Sequence, residues 1–298
     1  MKKWFFAVKL SASPKIFLPV FTGFFLVSSW PTSEVFPHIV ILISLMIFSQ
    51  LFIVLMNDFS DRDADAYHLR VYPELIDKRI IPLGFVSSKK VIIAGLLSGI
   101  LVIVLAVVLF KMGRPQILPL SLIGLLLLWA YSFPPIKLNY RGGGELLEIS
   151  GTGILLPFLG AFVASTTWDI SQAHYLFPVL IYSIISSLAS SLKHEPPDRE
   201  NGKKTVCVLF GPSFVHRVIW GLQILSRIWC GLLFLSDDYG IYAMVFCALI
   251  PAIPMFNTRR YESRADFHDL DALKSYKKSL QQSGILTQVG LMIDFITR

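Results

Sequence analysis

Apolar residues in this chain neither alternate nor form a single helical stripe; they come in long runs broken by short polar connections. A run of about 20 apolar residues matches the hydrocarbon thickness of a bilayer when coiled as a helix. Nine such stretches are found, near 14–31, 37–57, 91–110, 115–133, 146–166, 174–192, 214–236, 240–257 and 279–296. The ninth is the least apolar, interrupted by Gln281, Gln282, Gln288 and Asp294. Within lipid, backbone polar groups must be satisfied inside each segment, so runs of this length are helices. The pattern predicts an all-α polytopic membrane protein, nine transmembrane helices in one bundle, with residues 1–298 forming a single membrane-embedded domain.

Composition agrees. The 298 residues are 54% hydrophobic and 16% charged, and the mean hydropathy of +0.63 is too high for a soluble domain of this size. Lys and Arg alternate along the connections. The N-terminal arm has four, Lys2, Lys3, Lys9 and Lys15, while Pro31–His38 has none. Segment 58–90 carries six, 111–114 two, 134–145 two, 193–213 four and 258–278 six, whereas 167–173 and 237–239 have none. This bias predicts a cytoplasmic N-terminus and cytoplasmic connections after spans 2, 4, 6 and 8. No cleavable signal sequence is expected, because the basic start leads into the first span without a small-residue cleavage site. The net charge of +7 is mostly this topology signal. Nucleic acid is excluded as a partner, since no basic patch interleaved with aromatics lies away from the membrane ends. Cys207, Cys230 and Cys247 have no metal or redox spacing and read as structural.

The chemistry concentrates where span 2 ends. Asn57, Asp58, Asp61 and Asp65 follow directly on the apolar run 39–56. Carboxylates crowded at a membrane boundary repel one another and are costly to desolvate, so a positive partner is required. Mg2+ is the usual hard cation for such an oxygen-rich set. If the helix continues, Asn57, Asp61 and Asp65 share one face at four-residue spacing, with Asp58 beside them as a further ligand.

A second polar segment, 193–205, follows span 6 and holds Lys193, His194, Glu195, Asp198, Glu200 and Lys203. An even number of crossings separates it from the first cluster, so both emerge on one side. Two acid-rich segments facing each other suit a diphosphate bridged to carboxylates through Mg2+, with Arg79, Lys137, Lys193 and Lys203 neutralising phosphate charge. Pro196 and Pro197 predict a turn at the start of this segment rather than continuing helix. Between the clusters, Pro134 and Pro135 end span 4, and Gly142–Gly144 allow a tight turn before span 5.

These residues bear a specific resemblance. Asn57-Asp58-x-x-Asp61-x-x-x-Asp65 resembles the first signature of intramembrane aromatic prenyltransferases of the UbiA type. Tyr131-Ser132-x-Pro134-Pro135-x-Lys137 followed by Gly142-x-Gly144-Glu145 resembles their segment between the fourth and fifth helices. Asp198-x-x-x-Gly202-Lys203-x-Thr205, running into Leu209-x-Gly211, resembles the end of their second signature. The middle pieces look most like the dihydroxynaphthoate branch. The resemblance implies a helical bundle with an intramembrane cavity. It also implies Mg2+-dependent transfer of an isoprenyl group from an isoprenyl diphosphate to an aromatic or quinone-precursor acceptor, such as 1,4-dihydroxy-2-naphthoate.

In that reading Asp61, Asp65, Asp198 and Lys137 are catalytic. Asn57, Asp58, Asp61, Asp65 and Asp198 hold metal, and Asn57, Arg79, Lys137, Lys193 and Lys203 hold diphosphate. The chain departs from the family in three places. His194 stands where an aspartate is usual, Ser190 and Ser191 where the naphthoate branch has asparagines, and Ser13 where an arginine precedes Pro14. Imidazole is a poor Mg2+ ligand, so Glu195 or Glu200 takes over, or the second metal is held weakly, or His194 meets the acceptor.

Two other classes compete. A non-catalytic isoprenoid- or quinone-binding scaffold is favoured only by His194, and prenyl transfer to a lipid alcohol would use the same donor chemistry. A transporter would place charges at the midplane, whereas Arg227 is the main such residue here. The Asp-Gly-x-x-Ala-Arg pattern of phosphatidyl-alcohol transferases is absent, and the hydropathy excludes soluble prenyl diphosphate synthases.

Overall fold

The computed structural model describes residues 2–27, 35–73, 79–235 and 243–297. Lys78, the connection 237–239 and the first half of Pro31–His38 lie outside the described residues. Helices follow in the order α1 Lys2–Ala7, α2 Pro14–Val27, α3 Phe36–Ser60, α4 Arg62–Val71, α5 Ser88–Lys111, α6 Ile117–Ser132 and α7 Leu138–Arg141. They continue with α8 Gly144–Ile149, α9 Leu156–Ala164, α10 Phe177–Glu200, α11 Val206–Phe210, α12 Pro212–Leu235, α13 Ile250–Glu262 and α14 Leu270–Thr297. A π-helical segment, Ser150–Leu155, joins α8 to α9, and another, Ala243–Leu249, leads into α13. No strand occurs among the described residues.

Helical tracts coincide with each expected apolar stretch. Among the described residues, four are both long and apolar enough to cross a membrane: Phe36–Ser60, Ser88–Lys111, Gly144–Ala164 and Ile170–Glu200. Outward-facing positions remain apolar. Leu97, Ile100 and Val104 of α5 and Leu126 of α6 are exposed, a lipid-facing surface rather than a water-facing one.

One buried cluster joins α2, α3, α5, α6 and α9 through Phe24, Leu42, Met46, Leu109, Ile117 and Leu159, among others. A second joins α10, α12 and α14 through Ile185, Leu192, Ile219 and Tyr276. Lipid tails are as apolar as leucine, so packing of this kind depends on close backbone approach at small residues. It does so most tightly between α2 and α9. A Cβ on Gly23 would lie 1.9 Å from the Pro157 carbonyl oxygen, and one on Gly160 would lie 1.9 Å from that of Val20.

The structure corrects one expectation here. Pro196 and Pro197 do not interrupt the helix; α10 runs through both to Glu200. Proline's fixed φ is itself helical, and what it removes is an N–H donor. The final turn is secured instead by the Asn201 amide group, which donates to the Pro197 carbonyl at 2.8 Å, and by the Lys203 N–H, which donates to the Asp198 carbonyl at 2.9 Å.

Gly160→Val should therefore push α2 from α9 and cost about 1–3 kcal/mol, while Gly221→Ala, with open space around its Cα, should be neutral or stabilising. Thermal unfolding in detergent tests this; equal melting temperatures for the two variants would contradict the close contact.

Candidate active site

The first acidic stripe is built by continuity of two helices. Asp61 separates α3 from α4, yet its N–H donates to the Asn57 carbonyl at 2.9 Å and its own carbonyl accepts from Asp65 N–H at 2.8 Å. The four-residue spacing is thereby kept, and Asn57, Asp61, Asp65 and His68 all line one cavity of about 140 Å³. Asp58 points elsewhere. Its Oδ1 accepts from Lys9 Nζ at 2.6 Å and from Arg79 at 2.9 Å, and it does not line the cavity.

Because α10 is continuous, its final turns present a second stripe. Ser187, Ser190, Ser191, His194 and Asp198 line the same cavity at helical spacing. Tyr131, Asn139, Glu145, Glu148, Arg79, Lys203 and Thr205 complete the wall. The two segments expected to share one side do meet, since Lys203 Nζ lies 3.1 Å from Asp61 Oδ2 and 3.8 Å from Asp198 Oδ1. Outside the cavity, Asn201 Nδ2 stands 2.9 Å from His68 Nε2.

Charge compensation in this pocket is close but incomplete. Asp58, Asp61, Asp65 and Asp198 are each no more than 6% exposed. Asp65 Oδ2 is 3.4 Å from Arg79 Nε without hydrogen-bond alignment, and it has no hydrogen-bond partner among the described residues. Burial pushes the Asp65 carboxyl up to about 6, against the opposing pull of Arg79. For Lys203, burial acts to lower the pKa, but Asp61 and Asp198 outweigh it and raise the ammonium above its ordinary value. Burial, then the Lys203 charge, lowers His68, so a neutral ring can accept the Asn201 amide proton.

Several sequence-predicted residues lie off the cavity. Lys137 stacks its ammonium 3.9 Å from the Tyr140 ring centre, with Lys203 5.3 Å from the same ring. It is one side chain behind the wall. Glu195 pairs with Arg199 at 2.5 Å. Glu200 accepts from Tyr67 at 2.8 Å and Tyr72 at 2.7 Å. Neither glutamate replaces a carboxylate at His194. Lys193 is likewise absent from the lining. Conversely, Glu145, Glu148, Tyr131 and the α10 serines were not singled out as site residues. Their signal was present in part: Glu145 and Glu148 are three apart just after the glycine turn, hence on one face. Glu145 has a structural task, accepting the Val206 N–H at 2.7 Å. That contact ties the start of α11 to α8.

Among the described residues no three Asp, Glu, His or Cys side chains converge into a ready-made metal cage. The donor set nevertheless fits Mg2+. That ion is commonly held by one or two carboxylates together with substrate phosphates and water, and Asn57, Asp61, Asp65 and Asp198 supply hard oxygens from two facing stripes.

Apolar helices enclosing a cavity with facing carboxylates, and with Arg79 and Lys203 among them, define a membrane-type bundle suited to holding an anion through cations. The chain belongs to the UbiA prenyltransferase family, whose model matches residues 16–274. It is similar to chloroplastic chlorophyll synthase of Arabidopsis thaliana, 27% identical over 200 residues that cover 65% of this chain and 49% of the relative. It is also similar to 1,4-dihydroxy-2-naphthoate octaprenyltransferase of Bacillus subtilis (strain 168), 19% identical over 176 residues, 59% of this chain and 57% of the relative. The chain thus spans about half the length of the curated relatives it matches. In fold it resembles a UbiA homolog from Archaeoglobus fulgidus bound to GPP and Mg2+, with TM-score 0.70 and 17% identity over 99% of this chain and 100% of that one. A homolog from Aeropyrum pernix K1 gives TM-score 0.71 at 16% identity, covering 97% and 98% of the two chains.

The engagement of Asp58 with two cations makes a structural prediction. Asp58→Ala removes the buried carboxylate that Lys9 and Arg79 share, leaving Arg79 its 3.4 Å contact with Asp65, and should cost about 3–5 kcal/mol, seen as a lower unfolding midpoint in detergent. Glu200→Gln, at the exposed tyrosine contacts, should leave that midpoint nearly unchanged. A stable Asp58→Ala protein would show that the ion pairs do not hold this end of the bundle.

Proposed function

We propose that this protein is an integral-membrane enzyme that transfers an isoprenyl group from an isoprenyl diphosphate to an aromatic or quinone-precursor acceptor, with Mg2+ as cofactor. One observation carries the reading: the stripe Asn57, Asp61, Asp65 faces Asp198 across a single cavity that also holds Arg79 and Lys203. An acid-lined pocket with two interior cations has little use for a neutral ligand, and it suits a diphosphate that brings its own divalent ions. The homolog bound to GPP and Mg2+ supports the donor class. Relatives include both chlorophyll synthases and a naphthoate prenyltransferase, so 1,4-dihydroxy-2-naphthoate is one acceptor within the proposed class.

When bound, Mg2+ would supply positive charge to the departing diphosphate, held by Asn57, Asp61, Asp65 and Asp198. Arg79 and Lys203 add fixed cationic charge at the same wall, in place before charge develops on the leaving group. Lys137, stacked on Tyr140 and off the cavity lining, is given no contact with the reacting atoms. Asp58 acts by holding Lys9 and Arg79. The apolar helices keep water from the allylic cation, which would otherwise be hydrolysed. His194 stands one helical turn before Asp198 on the cavity wall, placed to contact the substrates rather than a metal.

Purified protein incubated with Mg2+, a panel of isoprenyl diphosphates and aromatic acceptors should yield prenylated product detectable by mass. Excess chelator should abolish it and added Mg2+ restore it; Asp61→Asn and Asp65→Asn should each lower the rate at least about 100-fold. Undiminished turnover in chelator would refute the metal-bridged model.

The proposed orientation places both acidic segments in the cytoplasm. Ser87 and Ser213 are exposed and the native cysteines are buried, so Ser87→Cys and Ser213→Cys should both be labelled by an impermeant thiol reagent from the cytoplasmic side alone. Labelling from opposite sides would exclude a shared site.

A further inference from the structure

A second cavity of about 200 Å³ lies between α2, the π-helical segment, α10 and α14. It touches the acid-lined cavity at one residue, Ser190, which lines both. The chemistry of the two differs. The second has mostly apolar walls with a few polar groups such as Thr152, Tyr182 and Gln288, and its only charged lining residues are Lys15 and Lys277. Such a pocket suits a flat, electron-rich ring carrying an acidic or phenolic substituent, while the diphosphate chemistry belongs to the first.

Glu148 stands at the junction. It lines the acid-lined cavity, its Oε1 accepts from Lys15 Nζ at 3.3 Å, and its Oε2 accepts from Ser187 Oγ at 2.8 Å. Lys15 Nζ also reaches Ser190 Oγ at 3.4 Å, so one lysine on the second cavity's wall is linked to both the glutamate and the shared serine. Glu148 lies two residues before the start of the π-helical segment Ser150–Leu155, an irregularity often found at functional sites. Unlike Glu145, which caps a backbone N–H, or Asp58, Asp61 and Asp198, which are tied to the interior cations, Glu148 is held among the described residues by a half-exposed lysine and a hydroxyl.

We propose that Glu148 is the base that removes the ring proton of an aromatic acceptor seated in this second cavity. The proposal rests on the prenyl-transfer reading above. The step balances as follows: the allylic C–O bond of the donor breaks with its electron pair leaving on diphosphate, and a ring carbon of the acceptor forms the new C–C bond. The proton on that ring carbon passes to a Glu148 carboxylate oxygen, and the C–H pair restores the aromatic ring. Lys15 and Ser187 hold the carboxylate aimed. The proton returns to solvent before the next turnover.

The test compares wild type, Glu148→Gln and Glu148→Asp using acceptor carrying hydrogen or deuterium at the substituted ring position, with binding of a non-reactive isoprenyl diphosphate analogue measured alongside. Loss of a positioned base should slow Glu148→Gln by about 100- to 10,000-fold, with analogue affinity within about two-fold of wild type. The isotope effect should rise in that variant, and Glu148→Asp should recover part of the rate. Ser186 lines only the second cavity; Ser186→Leu should raise KM for the acceptor about ten-fold and leave KM for the donor unchanged. Wild-type turnover by Glu148→Gln with no change in isotope effect overturns the base assignment alone. A Ser186→Leu effect on donor KM rather than acceptor KM overturns the seat of the acceptor. If wild type binds the donor analogue but prenylates no acceptor, the transfer reading fails and the role of Glu148 fails with it.

Discussion

Everything at the working end of this bundle depends on burying carboxylates beside an apolar interior. Asp58, Asp61, Asp65 and Asp198 meet Lys9, Arg79 and Lys203 in a network of two neighbouring sets, Asp58 and Asp65 with Lys9 and Arg79, and Asp61 and Asp198 with Lys203. Four acids face three cations, and removing either sign alone would leave uncompensated charge at high cost. The cations that make the acids tolerable in the absence of ligand come from three separate segments: the N-terminal arm, the connection after α4 and the connection after α10. The network therefore fastens those segments to the end of α3, and the same residues that could engage a substrate also fix the local fold.

Division of labour within that network explains why neighbouring acids differ. Asp58 and Asp61 are three residues apart, yet one is turned to Lys9 and Arg79 and the other faces the cavity. A helix rotates about 100° per residue, so Asp58 lies on nearly the same side as Asp65; its engagement by Lys9 and Arg79, rather than helical rotation, turns it from the cavity. On the opposite wall, Ser187, Ser191, His194 and Asp198 repeat the same stripe. The two polar stripes are thus carried on helices, which gives them rigid supports, while Arg79, Lys203 and Thr205 reach the same wall from connections.

The interhelical packing serves the same end. Gly23 and Gly160 let α2 and α9 approach backbone to backbone, which holds α2 against the tract that carries Glu148. Lys15, near the start of α2, thereby reaches across to that glutamate. The π-helical segment after Glu148 shifts the side-chain register partway along the α8–α9 tract, so residues before and after it present different faces.

Much of this was legible from the order of residues. The apolar runs fixed where helices must lie, since no other spanning structure satisfies the backbone in lipid. The spacing of Asn57, Asp61 and Asp65 placed them on one face because that face is set by helical periodicity alone. What the sequence could not decide is partner choice. Lys137, Glu195 and Glu200 look as available as Lys203 and Asp198 along the chain, but Tyr140, Arg199 and the pair Tyr67 and Tyr72 engage them instead. Pro196 and Pro197 read locally as a break, yet Asn201 and Lys203 complete the last turn, and only that continuity puts His194 and Asp198 on one stripe. Glu148 had no distinguishing neighbour in sequence; its partners Lys15 and Ser187 are 133 and 39 residues away. Periodicity is a property of each helix by itself, and so the sequence determined it. Which charges meet is a property of how helices are placed against one another, and only the tertiary structure decided that.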